Sequence, residues 1–186
     1  MPTGDATVTA RSQSRPGTHP GRGFTLVELI AVLVLTGILA AVAIPAVSTT
    51  EKTKHAAAAR LVASDLRFAR QYAVATGTRT WVSFQVATDQ WTLLSEDPDA
   101  PGSSSEHVII DPATEQPMIQ RLDTLFPGEQ LVAIDFDGGT EVGFDWLGRP
   151  LSQTEAALVS NGSLGLASGF TIGVAVDSGL VTIVSP

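Results

Sequence analysis

Hydrophobic and polar positions divide this chain into three stretches of different period. Residues 1–23 are rich in Ser, Thr, Gly, Pro and Arg and have no apolar periodicity, which predicts a disordered segment. From Leu29 to Val47 there is no charged side chain, a run of about 19 residues where about 20 carry a helix across hydrocarbon. Past Thr50 the pattern turns amphipathic. Val62, Leu66, Ala69 and Ala73 form one apolar stripe at helical spacing, while Glu51, Lys52, Lys54, Arg60, Arg67 and Arg70 fill other faces. The expectation is one long helix over 24–76, with a membrane-spanning half at 24–47 and an amphipathic half at 48–77 that Gly77 ends. Pro45 removes the hydrogen bond to the Ala41 carbonyl, so a kink or a short melted turn is expected there. The apolar stripe predicts a helix lying on a sheet.

From residue 78 onward the period falls to two. Thr80–Ala87 alternates around Trp81 and Phe84, with Gln90–Ser95 as its hairpin partner across Thr88-Asp89. Residues 95–106 read as a polar loop. His107–Ile110 and Met118–Leu122 are short candidate strands. Leu131–Phe136 and Glu141–Trp146 flank Asp137-Gly138-Gly139-Thr140, a strong hairpin-turn signal. Residues 148–162 read as a loop with a helical turn at 154–159. Phe170–Val176 and Leu180–Val184 form a last hairpin around Asp177-Ser178-Gly179. The fold class is therefore α+β, a long N-terminal helix packed on an antiparallel sheet, with a β-rich domain over 78–186.

Charge adds an orientation. The chain has 186 residues and a formal net charge of −8. Residues 1–23 hold Arg11, Arg15 and Arg22 against Asp5, a net of +2, which leaves −10 on the remainder. Basic residues just before an apolar span place that side in the cytoplasm and the acidic bulk outside it. An acidic domain with few aromatics is a poor match for phosphate backbones, so nucleic acid is not favoured as a partner. There is no cysteine, so disulfides and thiolate metal sites are excluded.

Candidate chemistry is sparse. Of His19, His55 and His107, only His107 falls in the expected β domain, and it reads as a strand-edge residue beside Glu106, so no histidine metal cluster forms there. Asp135, Asp137 and Gly138 suggest oxygen ligands for calcium, but the glycine is misplaced for an EF-hand loop, and a plain turn is the simpler reading. Asp97 and Asp99 are weaker still. Asn161-Gly162-Ser163 fits a glycosylation sequon by chance. No nucleophile elbow, phosphate loop or dinucleotide fingerprint occurs. No catalytic residue, metal or cofactor is expected.

The junction Arg22-Gly23-Phe24-Thr25-Leu26-Val27-Glu28 is the exception. A secretory signal places its small-residue cleavage site after the apolar region. Here Gly23/Phe24 precedes that region, so cleavage would remove the basic leader and keep the anchor. Glu28 then stands as one acid at the head of an apolar span, where ionisable groups are costly and usually functional. Two readings stay open: Glu28 protonates or reaches interfacial water, or it pairs with the amine that cleavage creates on Phe24, one helical turn away. Gly37 and Ala41 would allow close helix approach, or simply fill an alanine-rich helix. Pro45 marks the outer end of the span, or lets the subunit bend as it leaves the bilayer.

These residues resemble the class III leader of type IV pilin-like proteins: Gly23 before the cut, Phe24 as first mature residue, Thr25-Leu26, Glu28 at mature position five and Pro45 at position twenty-two. The segment Val142-Gly143-Phe144-Asp145-Trp146-Leu147-Gly148-Arg149, the helix at 56–76 and the hairpin at 169–183 are similar to the GspH/FimT subgroup. The resemblance implies a prepilin peptidase that cuts after Gly23 and methylates the Phe24 amine, with Glu28 and Pro45 as assembly residues. It implies a non-enzymatic minor pseudopilin of a type II secretion system, in the bacterial inner membrane with its C-terminal domain in the periplasm, then in a pseudopilus. Its partners would be other minor and major pseudopilins and the inner-membrane secretion platform. The rival is a FimT-like minor type IV pilin involved in pilus assembly or DNA uptake, using a local basic patch around Arg121 and Arg149.

Overall fold

The structure is a computed structural model that describes residues 24–101 and 105–186, and the side chains of these apart from 41–50. The expected leader, 1–23, lies outside the described residues. Helix α1 runs Leu26–Thr76. The backbone is helical through Pro45, so the melted turn expected there is absent; one forfeited hydrogen bond is a small loss within so long an element. Gly77 ends α1 as expected: its φ of 73° is left-handed and its N–H donates to the Ala73 carbonyl at 3.0 Å. The described chain divides into two compact units, the first ending at Ile44 and the second running from Pro45 to Pro186.

In the first unit, the described large apolar side chains from Phe24 to Leu39 are all more than half exposed. Among the described residues no helix is long and apolar enough to cross a membrane; the expected span continues into 41–47, whose side chains lie outside the description.

Among its described residues, the second unit holds ten strands in two antiparallel sheets. In the first, β1 (Thr80–Gln85) pairs with β2 (Gln90–Ser95) on one side and β6 (Glu141–Phe144) on the other; β7 (Pro150–Ser152) joins β6, while β3 (His107–Val108) and β4 (Ile119–Arg121) both join β2. The second has the order β10 (Val181–Val184), β9 (Thr171–Val174), β8 (Gly162–Leu166), β5 (Leu131–Asp135). The α1 stripe of Val62, Leu66, Ala69 and Ala73 is fully buried and shares one core with Val82, Phe84, Trp91 and Leu93 of the first sheet and Leu164, Leu166 and Ile172 of the second. Helix and sheets thus form the expected α-on-β layering.

Several expectations fail locally. β5 and β6 are not a hairpin: β5 pairs with β8 and β6 with β1, so the Asp137-Gly138 turn carries the chain between sheets. Strand β6 stops at Phe144, because residues 145–149 form a turn. The first strand stops at Gln85, where Val86–Thr88 makes a short 3₁₀ turn and Asp89 takes a φ of 49°. The helical turn expected at 154–159 is absent; that segment is turns and a bridge of Ala157 to Leu151. Strands β7 and β8 and the short helix α2 (Leu122–Leu125) were not anticipated from period or turn signals.

Candidate functional site

The N-terminal segment begins with exposed Phe24. Thr25 is the N-cap of α1: its carbonyl accepts the Leu29 N–H at 3.1 Å, and its Oγ1 accepts the Glu28 N–H at 3.2 Å. The spacing Thr25-x-x-Glu28 is that of a capping box. Glu28 therefore occupies the first helical turn, where a carboxylate meets the positive end of the helix dipole. Farther along, Thr36 satisfies its own hydroxyl by donating to the Val32 carbonyl at 2.7 Å. Gly23 lies outside the described residues, as does the side chain of Pro45.

The amphipathic half of α1 is tied to the β domain by polar side chains. Lys54 Nζ donates to the Pro127 carbonyl. His55 Nδ1 lies 2.5 Å from Glu129 Oε2, and the buried Glu129 also accepts the Ser168 N–H at 3.0 Å. Arg67 Nη2 donates to the Val181 carbonyl and Arg70 Nε to the Gly148 carbonyl, both at 3.0 Å. Inside the core, Trp91 Nε1 donates to Asp65 Oδ2 at 2.8 Å. Burial pushes the Asp65 carboxyl up to about 6, against the lowering effect of that hydrogen bond. His55 is thus a tether between α1 and the β domain, and its partner Glu129 carried no sequence signal beyond its charge.

The segment 142–149 is organised by Asp145. Its Oδ1 accepts the N–H groups of Leu147 at 2.9 Å and Arg149 at 2.8 Å, and its Oδ2 accepts from the Arg149 guanidinium at 2.7 Å. Burial pushes this carboxyl up, but the Arg149 and Leu147 N–H groups and the Arg149 charge outweigh it and hold it below the ordinary carboxylate range. The turn displays Trp146 and Leu147 to solvent. Arg121 likewise lies 3.6 Å from Asp123. Both arginines of the anticipated basic patch therefore face a carboxylate.

The other candidates have structural partners. Asp137 accepts the Val159 N–H at 2.6 Å and both the N–H and hydroxyl of Ser160, which hold it below the usual carboxylate range. Asp135 accepts the Gly138 N–H and Asp97 the Asp99 N–H. Among the described residues no group of three or more His, Cys, Asp or Glu side chains is arranged to hold a metal ion. His107 is exposed on β3, paired with Ser95 of β2. The Asn161 side chain accepts the Val176 N–H at 2.9 Å. An open cleft of about 360 Å³ beside Trp146 has both its cations engaged, Arg79 with Glu155 and Arg149 with Asp145.

A family model described as "Type II transport protein GspH" matches residues 58–179, about two thirds of the chain. The chain belongs to the GspH family of type II transport proteins. A second model, the prokaryotic N-terminal methylation motif, matches residues 20–44. The two matches fall on the two compact units, and the methylation motif ends at Ile44, where the first unit ends. Two solved structures of the minor pseudopilin EpsH from the type 2 secretion system of Vibrio cholerae have the same fold. One is 12% identical over 72% of this chain and 96% of its own, with a TM-score of 0.52. The other is 13% identical over 69% of this chain and 91% of its own, with a TM-score of 0.50. No curated protein matches the chain by sequence. The α+β pilin-like fold read from the sequence is thus the fold of a GspH-family protein, with the helix-on-sheet layers in the expected order.

Proposed function

We propose that this GspH-family chain is a minor pseudopilin, a non-enzymatic subunit that helps to initiate or cap the pseudopilus of a type II secretion system. A prepilin peptidase cuts after Gly23 and methylates the amine of Phe24. The apolar half of α1 then anchors the subunit in the bacterial inner membrane with its C-terminal domain in the periplasm, until it joins other minor and major pseudopilins above the secretion platform. The observation that carries this reading is the start of α1. Its described large apolar side chains from Phe24 to Leu39 are all more than half exposed, and such a surface needs lipid or other helices around it. The helix opens on a Thr25 cap with a single acid at Glu28.

Cleavage would place an ammonium group on Phe24, one turn before Glu28. In a bundle of such helices the amine of one subunit and the Glu28 carboxylate of another fix axial stagger, because a charge buried without its partner is strongly penalised. Pro45, at the join of the two units, lowers the cost of bending as a subunit leaves the bilayer. Nucleic acid is not proposed as a partner, since Arg121 and Arg149 each face an aspartate.

Mass analysis of the mature N-terminus tests the reading. A chain beginning with methylated Phe24 is expected; retention of Met1 to Arg22 in the working protein overturns it. Glu28→Ala is expected to leave cleavage intact and to abolish recruitment into the filament. Unchanged recruitment would remove the pairing role.

A further inference from the structure

Each arginine of the β domain has an acid beside it: Arg79 lies 3.4 Å from Glu96, Arg121 3.6 Å from Asp123 and Arg149 2.7 Å from Asp145. Arg67 and Arg70 on α1 differ. Among the described residues neither has a carboxylate within ion-pairing distance, although the chain beyond residue 23 carries a net charge of −10. Of the acids on the turns they touch, Asp145 is bound to Arg149, and Asp177 is exposed. Their acceptors are backbone carbonyls instead. Arg67 Nη2 donates to Val181 and Arg70 Nε to Gly148, both at 3.0 Å. A carbonyl orients a guanidinium without neutralising it and leaves its other N–H groups to take an anion.

The two turns are shaped around these side chains. Gly148 and Gly179 both have positive φ, 76° and 64°. A Cβ on Gly148 would meet Arg70 Nε at 3.0 Å, and one on Gly179 would meet it at 3.2 Å. Arg70 is therefore held between two turns that glycine lets close on it. Both arginines line an open groove of about 140 Å³ with Gln71, Gly179, Leu180 and Val181. Pockets for free small molecules run to about 300–1,000 Å³, so this groove suits the end of one side chain. Gln71 adds an amide donor. The rim is apolar: Val74, which a Cβ on Gly148 would touch, Leu147 and Leu180 are each more than half exposed. Apolar atoms around a charged pair keep water out and strengthen it.

We propose that Arg67 and Arg70 form a socket for one carboxylate, an Asp or Glu side chain with an apolar neighbour on an adjoining subunit of different sequence. The inference rests on the subunit function proposed above, because a subunit that initiates or caps a filament has neighbours of other sequence. Phosphate is the competing oxyanion. Duplex DNA and anionic bilayers present it as a dense array, which the acidic remainder of the chain repels. A single carboxylate in an apolar setting meets far less of that repulsion.

Carbodiimide joins a carboxylate to a lysine amine in contact with it and leaves guanidinium groups untouched, so it reads the chemistry of the occupant directly. The full-length Arg67→Lys chain is treated in the membranes of cells that assemble filaments, and adducts are mapped by mass spectrometry. An amide from position 67 to an Asp or Glu of another filament subunit is expected. Adding Leu180→Glu, at an exposed position, supplies a carboxylate from the chain itself and should lower the adduct at least about tenfold, as for the loss of a close interfacial charge pair. Leu180→Gln should leave it within about threefold. An amide to Asp177 of the same chain, an amide to a second copy, indifference to Leu180→Glu, or suppression of the adduct by duplex DNA overturns the proposal. Recruitment of the Arg67→Lys chain into filaments without the adduct sinks the socket alone. An adduct to a carboxylate of a protein outside the filament, with no recruitment of the parent chain, sinks the subunit function and leaves the socket standing.

Discussion

Asp65 is the sharpest conflict between a residue and its surroundings. It lies on the buried side of α1, between Val62 and Leu66, and is 7% exposed. The stripe was legible as a stripe, but the alternation of apolar positions gave no sign that a carboxylate would be enclosed with it. Among the described residues its side-chain partner is the indole N–H of Trp91, a residue distant in sequence. Protonation is tighter in the folded state, at about 6 against 3.8. The neutral acid therefore contributes stability that is complete below 3.8 and is lost as pH rises past about 6. Asp65→Asn keeps an acceptor for Trp91 and cannot ionise. It is expected to exceed the parent in stability at pH 7.5 by up to about 3 kcal/mol, and to lie within about 0.5 kcal/mol of it at pH 4. Urea unfolding of the detergent-solubilised chain at both pH values checks this, and an equal effect at both would rule out titration as the cause. Glu28, by contrast, was legible because a lone acid in an apolar run stands out without any tertiary information.

At the scale of elements, what local pattern determines was readable. The β1–β2 and β9–β10 hairpins each combine alternation with a turn whose residue tolerates positive φ, Asp89 and Gly179 respectively. What depends on distant packing was not. Strand β8 reads Gly-Ser-Leu-Gly-Leu, a poor strand by propensity, yet Gly162 is what fits there, since a Cβ would come within 2.3 Å of the Phe136 ring. The Asp137-Gly138 signal marked a turn correctly but carried no information about which sheet the next strand joins. The node between α1 and two β turns is the element-scale feature most open to test. Gly179 has a φ of 64°, and a Cβ there would lie 2.5 Å from the Gly148 carbonyl oxygen that Arg70 holds. Gly179→Ala is expected to cost about 1–3 kcal/mol, from strained backbone and displaced turn together. Equilibrium unfolding measures it, and a loss below about 0.5 kcal/mol would mean that the turn yields freely.

Across the whole molecule the charges are segregated. Residues 48–77 carry Lys52, Lys54, Arg60, Arg67 and Arg70, while the acids of 78–186 have only Arg79, Arg121 and Arg149 to offset them. The counts are visible in the sequence. Their consequence becomes visible only when α1 turns Arg60 and Arg67 outward, with no carboxylate in ion-pairing distance among the described residues. This arrangement allows folding and assembly to be separated at two arginines three residues apart. Arg67 is exposed and makes one bond to a strand carbonyl, so Arg67→Glu is expected to change stability by less than about 1 kcal/mol while abolishing recruitment. Arg70 is half-buried and fixes the Gly148 carbonyl beside Gly179, so Arg70→Ala is expected to cost about 1–2 kcal/mol. Denaturation paired with a recruitment assay on both variants decides the matter. If recruitment simply follows stability across the two, the arginine face serves only to hold α1 to its turns. If Arg67→Glu folds normally and stays out of the filament, the face is a contact surface.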